Sequence, residues 1–136
     1  MEIDLNEEKI TENKISIREI KKLDKKLVDI LLSVGISANL QGYHYLKESI
    51  KLVMENPFYI GSITRVMYPT IANRFDTTAS RVERAIRHAL EVAFSKGKII
   101  NINKIFGIKI FDKNEKPTNG EFVALIADRL SYEIYK

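Results

Sequence analysis

The chain has no cysteine, no tryptophan, three prolines and two histidines in its 136 residues. Without cysteine it has neither disulfides nor thiolate metal sites. His44 and His88 are too few for a histidine metal cluster. No apolar run approaches the 18 residues that a membrane-spanning helix needs. The N-terminus, MEIDLNEEKI, is acidic and lacks the basic-then-apolar order of a secretory signal. No glycine-rich phosphate loop, nucleophile elbow or histidine–carboxylate pairing can be placed. These absences argue against an enzyme, a metal or organic cofactor and a membrane partner, and they favour a cytoplasmic protein.

What is present is ordinary globular material. Hydrophobic residues make up 45% and charged residues 29%, enough for one compact domain. The net charge is +4, and its placement is informative. In residues 1–26 the acids Glu2, Asp4, Glu7, Glu8, Glu12, Glu19 and Asp24 balance Lys9, Lys14, Arg18, Lys21, Lys22, Lys25 and Lys26. The whole excess therefore lies in residues 27–136. Between Arg81 and Lys98, Arg81, Arg84, Arg87, Lys96 and Lys98 face two acids, Glu83 and Glu91. A basic focus of this kind favours a polyanion partner.

Residues 1–22 are polar with scattered isoleucines and read as an N-terminal extension or a loosely docked helix. From Leu23 the pattern tightens. Leu23, Leu27, Ile30, Leu31 and Val34 recur at helical spacing, and Gly35 follows as a stop. ISANLQGYHYL reads as a connection, with Tyr43 and Tyr45 as packing groups, before a helix from about Tyr43 to Met54. GSITRVMYPTIANRF is helical, with a kink or restart at Pro69. IININKIFGIKIFDK suggests a short helix followed by an extended stretch. Thr118, three residues before Glu121, has the spacing of a capping box and opens a last helix striped by Phe122, Ile126, Leu130 and Ile134. The expectation is an all-α domain of about six helices.

Residues 79–94 carry the most information. Ala79, Val82, Ala85, Ile86, Ala89, Leu90, Ala93 and Phe94 form a wide apolar stripe, whose alanines let another helix approach closely. Ser80, Glu83, Arg84 and Arg87 fall off that stripe and neighbour one another. Upstream, Ile71, Ala72 and Phe75 form a short amphipathic helix, and a tight turn from Asp76 separates the two. A small residue, an apolar one three later, a turn, then apolar residues ten and thirteen after the small one is helix-turn-helix spacing. Asp76 stands where glycine is commonest, and aspartate tolerates left-handed geometry better than most residues.

The exposed stripe has a chemical reading. Arginine's planar fork matches guanine O6 and N7 in the major groove, and glutamate accepts from cytosine N4. Glu83, Arg84 and Arg87 are the candidate base-reading residues. Thr77, Thr78 and Ser80 at the helix N-terminus can hold phosphate through hydroxyls and backbone N–H groups. Arg81, Lys96 and Lys98 can add backbone charge contacts, and His88 sits where it can touch phosphate or stand half-exposed. Glu83 and Arg87 at i, i+4 also fit an ordinary surface ion pair.

TTASRVERAIRHALEVAFSKG closely resembles the recognition-helix region of the C-terminal effector domain of the sporulation master regulator family (stage zero sporulation protein A) of endospore-forming bacteria. VGISANLQGYHYLKESI, GSITRVMYPTIANRF and KPTNGEFVALIADRL resemble that domain in the same order, over roughly residues 23–132. The resemblance implies a six-helix domain that binds double-stranded DNA at a short box with a TGTCGAA-like core, often as tandem sites. Carried over by position, it implies base contacts from Glu83, Arg84 and Arg87, with Ser80 and Arg81 near phosphates. It also implies contact with RNA polymerase sigma factor from about Asn101 to Ile110, with Phe106 the most recognisable match, and homodimer contacts on adjacent boxes through the last helix. FSKGKIINI departs from a tryptophan-containing stretch of the family.

The expected organisation is an extension over 1–22 and a helix-turn-helix effector domain over 23–136. Residues 1–22 are too short for the phosphorylated receiver domain of full-length members, and Met1 with the charged lead-in favours a stand-alone protein. The expected function is sequence-specific transcription regulation in the cytoplasm, at the nucleoid when DNA is bound. The alternative is an interaction module that pairs with and antagonises a full-length regulator through the last helix, on which Leu125, Tyr132 and Tyr135 lie off the main stripe.

Overall fold

The computed structural model describes residues 17–135. Most of the 1–22 extension lies outside the described residues, and Ile17 to Lys22 form the opening turns of the first helix. The described residues hold six α-helices and no strand: α1 (Ile17–Ser33), α2 (Gln41–Glu55), α3 (Tyr68–Arg74), α4 (Ala79–Ser95), α5 (Asn101–Phe106) and α6 (Asn119–Tyr135). The all-α expectation holds. Helix α2 is the hub, packed against both α4 and α6, while α3 lies on α4 and α5 on α1.

Each boundary has a local cause. Helix α1 stops at Gly35, whose φ of 90° suits a residue without a side chain. Gly35 N donates to Leu32 O (3.0 Å) and Ile36 N to Leu31 O (2.9 Å), which satisfies two of the last carbonyls in a Schellman arrangement. The stripe Leu27, Ile30, Leu31 and Val34 is wholly buried, as its spacing predicts. At the start of α6 the capping box is reciprocal. Glu121 N donates to Thr118 Oγ1 (3.1 Å), and Thr118 N donates to Glu121 Oε1 (3.4 Å).

Around Pro69 the chain changes helix type without leaving helical backbone geometry. Proline has no N–H to give the carbonyl four residues back. A 3-10 segment, Pro57–Ser62, leads into a π-helical turn, Ile63–Met67, which closes with Tyr68 N donating to Ile63 O. Helix α3 then begins with Pro69 in its first turn, where a missing donor costs nothing.

One reading of the sequence needs correction. Gly42 is not part of a connection: it is the second residue of α2 and is buried, while Tyr43 and Tyr45 are packing groups as expected. The IIN…FDK stretch yields a short helix, α5, followed by an irregular extended stretch, as its composition suggested. There Asn103 serves as the pairing partner. Its Oδ1 accepts from Ile110 N (2.6 Å) and Phe111 N (3.1 Å), and its Nδ2 donates to Phe111 O (2.9 Å). Phe111 is thereby set into the core, stacked on Phe122 with ring centroids 6.1 Å apart.

Gly42 marks a close approach of α2 to α4. A Cβ placed there would collide with the Ala85 carbonyl oxygen and lie 2.7 Å from Ala89 Cβ. The alanines of α4 therefore meet α2 as the sequence predicts, with glycine as the partner. Replacing Gly42 by alanine should force the two helices apart and lower stability by about 1–3 kcal/mol. Urea unfolding followed by circular dichroism measures this. Gly61→Ala, where nothing lies within 4 Å, is the control and should change little.

Candidate nucleic-acid interface

Helices α3 and α4 meet through a corner that the backbone closes tightly. Asp76 has φ of 53°, a left-handed conformation that glycine adopts most easily and aspartate tolerates. Thr77 N donates back to Ala72 O at 2.9 Å, so the turn is held by its own main chain. Ala72 is buried at this corner, where a larger side chain would keep the helices apart. Thr78 then caps α4, its Oγ1 accepting from Arg81 N at 3.3 Å.

Val82, Ile86, Ala89, Leu90 and Ala93 bury one side of α4. With 17 residues, α4 is about 25 Å long at 1.5 Å per residue. Ser80, Arg84 and Arg87 are exposed, and Glu83 is half-buried at their flank. Arg81 and His88 are exposed on the other flank. The candidate base readers thus share one accessible face.

The ion pair that the spacing allows is formed. Arg87 Nε lies 3.2 Å from Glu83 Oε1, with the two side chains 54% and 37% exposed. An i, i+4 pair this open is worth about 0.3–0.5 kcal/mol, too little to hold either group against a better partner. Arg84 Nε reaches Ser80 O at 3.5 Å, a weak contact. Thr78's acceptor is taken by the cap, and Thr77's N–H by the turn, so the phosphate-binding capacity at this end rests on hydroxyl protons, Arg81 and the remaining first-turn amides.

Beside the face runs a furrow of two adjoining hollows, about 440 and about 450 Å3, which share Thr64, Tyr68, Glu83 and Arg87. Behind it, one side chain ties three helices together. Asn119 Nδ2 donates to Tyr68 OH (3.0 Å) and to Glu83 O (3.2 Å), linking α6, α3 and α4. Burial holds the Tyr68 hydroxyl above the ordinary tyrosine range; the Asn119 hydrogen bond opposes this, and the Glu83 charge reinforces it. The hydroxyl therefore keeps its proton.

An exposed helix face carrying two arginines, set after a tight turn, is consistent with a helix-turn-helix corner of the kind a major groove admits. A family model described as "Sporulation initiation factor Spo0A C terminal" matches residues 27–130. The chain belongs to this family. Spo0A C-terminal domains are effector domains of sporulation regulators, a family that binds double-stranded DNA and is not one of enzymes. Among the described residues no helix is long and apolar enough to cross a membrane.

The remaining sequence-derived residues fall elsewhere on this Spo0A-type domain. Lys96 Nζ donates to Gly35 O (3.1 Å), so it caps α1 at the far end of α4 from Ser80. Lys98 is exposed near it. The structure does not bring these two lysines to the Thr77–Arg81 end. Phe106 is 8% exposed and closes the core, with Lys26 Nζ 5.5 Å from its ring centroid. Asn101 Nδ2 donates to Ser33 O (2.7 Å), and Ile110 is half-buried. All three side chains carried over as sigma-factor contacts are occupied within the fold, and the outward surface there is Lys104, Gly107, Ile108 and Lys109.

Tyr68, Asn119, Glu91 and Lys116 were missed from sequence. Glu91 is legible in retrospect, since it continues the Ser80–Arg84–Arg87 line by one more turn. Asn119 gave no signal, because its partners lie 36 and 51 residues away.

Asn119→Ala should leave the Tyr68 hydroxyl without its donor and loosen α4 near its N-terminal end. The expected cost is about 1–3 kcal/mol in urea unfolding. Hydrogen exchange should show faster amides at residues 80–84, while α1 is unchanged.

Proposed function

We propose that this chain is a sequence-specific DNA-binding transcription regulator that reads a short duplex box with the outward face of α4. The observation that carries this is the grouping of Glu83, Arg84 and Arg87 on one accessible face while the opposite face is sealed in the core. Arg84 and Arg87 address guanine edges, and Glu83 accepts from a cytosine amino group or steadies Arg87. Ser80, Arg81, Thr78 and His88 meet phosphates around the helix N-terminus and its flank. Tandem boxes would then bring two copies together through α6. The sign of regulation follows from where the box lies relative to a promoter.

Selection of bound duplexes from a random pool, followed by mobility-shift titration, tests this reading. Arg84→Ala should weaken binding to the selected box by about 1–3 kcal/mol, roughly 5- to 150-fold. It should also relax base preference at one position. Binding should fall steeply with salt, as counterion release requires. Equal affinity of wild type and Arg84→Ala for the selected box would remove the assignment.

A second reading is supported by Tyr132 and Leu125, exposed on α6, with the Arg129 guanidinium 5.2 Å from the Tyr132 ring. In it the chain pairs with a full-length regulator through α6 and antagonises it. Co-purification with such a regulator, together with no enrichment of any duplex, would favour this reading over the first.

A further inference from the structure

The second hollow beside α4 is walled on its far side by the segment leading into α6, from which Lys116 reaches across to Glu91. Lys116 Nζ lies 3.7 Å from Glu91 Oε1, and the side chains are 53% and 45% exposed. At 100° per residue Glu91 returns to within about 20° of Arg84, so it stands on the reading face itself. A carboxylate there opposes the approach of a phosphate backbone, and Lys116 is the cation that neutralises it.

The placement of Lys116 is built rather than incidental. The residue after it, Pro117, is buried and fixes the local backbone, and Thr118 caps α6 directly afterwards. The main chain is anchored while the ammonium is exposed. The ion pair is open to solvent, and a pair so exposed is readily exchanged for a stronger anion. Exposed Thr64 lines the same hollow, so a hydroxyl is available beside it. A strand bordering the major groove would enter this space when α4 docks.

We propose that Lys116 is a sequence-independent grip on the DNA backbone, parked on Glu91 in the free protein and transferred to a phosphate on binding. This rests on the DNA-binding reading above. Glu91 thereby acts as a competitor for Lys116 that lowers affinity for every duplex alike. Base preference stays with Glu83, Arg84 and Arg87.

The test uses the selected box and a scrambled duplex, with fluorescence anisotropy over a salt series, for wild type, Lys116→Gln, Glu91→Gln and the double variant. Both positions are exposed, and circular dichroism checks the fold. Lys116→Gln should weaken binding to both duplexes by the same factor. It should also make the slope of log K against log salt shallower by about 0.9. Glu91→Gln should tighten binding to both. In the Glu91→Gln background, Lys116→Gln should still weaken binding. If it is silent there, Lys116 only neutralises Glu91 and the grip is overturned. An unchanged salt slope, or a loss confined to the selected box, would overturn it as well. Arg84-dependent binding in the wild type separates these outcomes from failure of the underlying reading.

Discussion

Everything that α4 offers to a partner depends on how closely its other side can be approached. At Gly42 the backbone of α2 meets Ala85 and Ala89 with no side chain between. Helices in such contact cannot slide or rotate without a collision, so the azimuth of α4 is set from behind. Asn119 adds a second constraint near the N-terminal end of α4 by holding the Glu83 carbonyl to Tyr68 and α6. One contact is steric and the other polar, and they act about half the length of α4 or less apart. Together they decide which residues of a regular helix are outside.

On the outward side the chemistry is of the opposite kind. Glu83–Arg87 and Glu91–Lys116 are solvent-exposed pairs, each of them weak. A rigid scaffold thus presents side chains that can be re-paired at small cost. Such a division suits recognition of a polyanion, where pre-positioned backbone limits the ordering entropy and loosely held charges reduce the desolvation penalty. The corner before α4 follows the same logic. Asp76 holds a left-handed conformation and Thr77 closes the turn through its own amide, so the loop contributes geometry while leaving exposed side chains for contact.

The parts of the fold that could be read from sequence are those with local causes. The α1 stripe with its Gly35 stop, the Thr118–Glu121 capping box and the small residue at Ala72 all declare themselves within a few positions. So does the polar line of α4, because 3.6-residue periodicity separates its faces. Gly42 misled, since glycine ahead of two tyrosines resembles a turn, and its real reason, the approach of Ala85, lies 43 positions on. The π-helical turn at Ile63–Met67, just before Pro69, is a feature that periodicity does not encode. Lys116 and Asn119 were invisible for the same reason as Gly42: each acts on a helix whose partner residue is distant in the chain.

The run Ile108–Phe111 is rich in β-branched and aromatic side chains, the composition from which intermolecular cross-β contacts are made. Its amides at Ile110 and Phe111 are already consumed by one asparagine, and Phe111 is locked under Phe122. A single side chain thus does for Ile110 and Phe111 what a neighbouring strand does in a sheet. The domain carries this adhesive run with its most apolar end, Ile110–Phe111, already paired and packed inward.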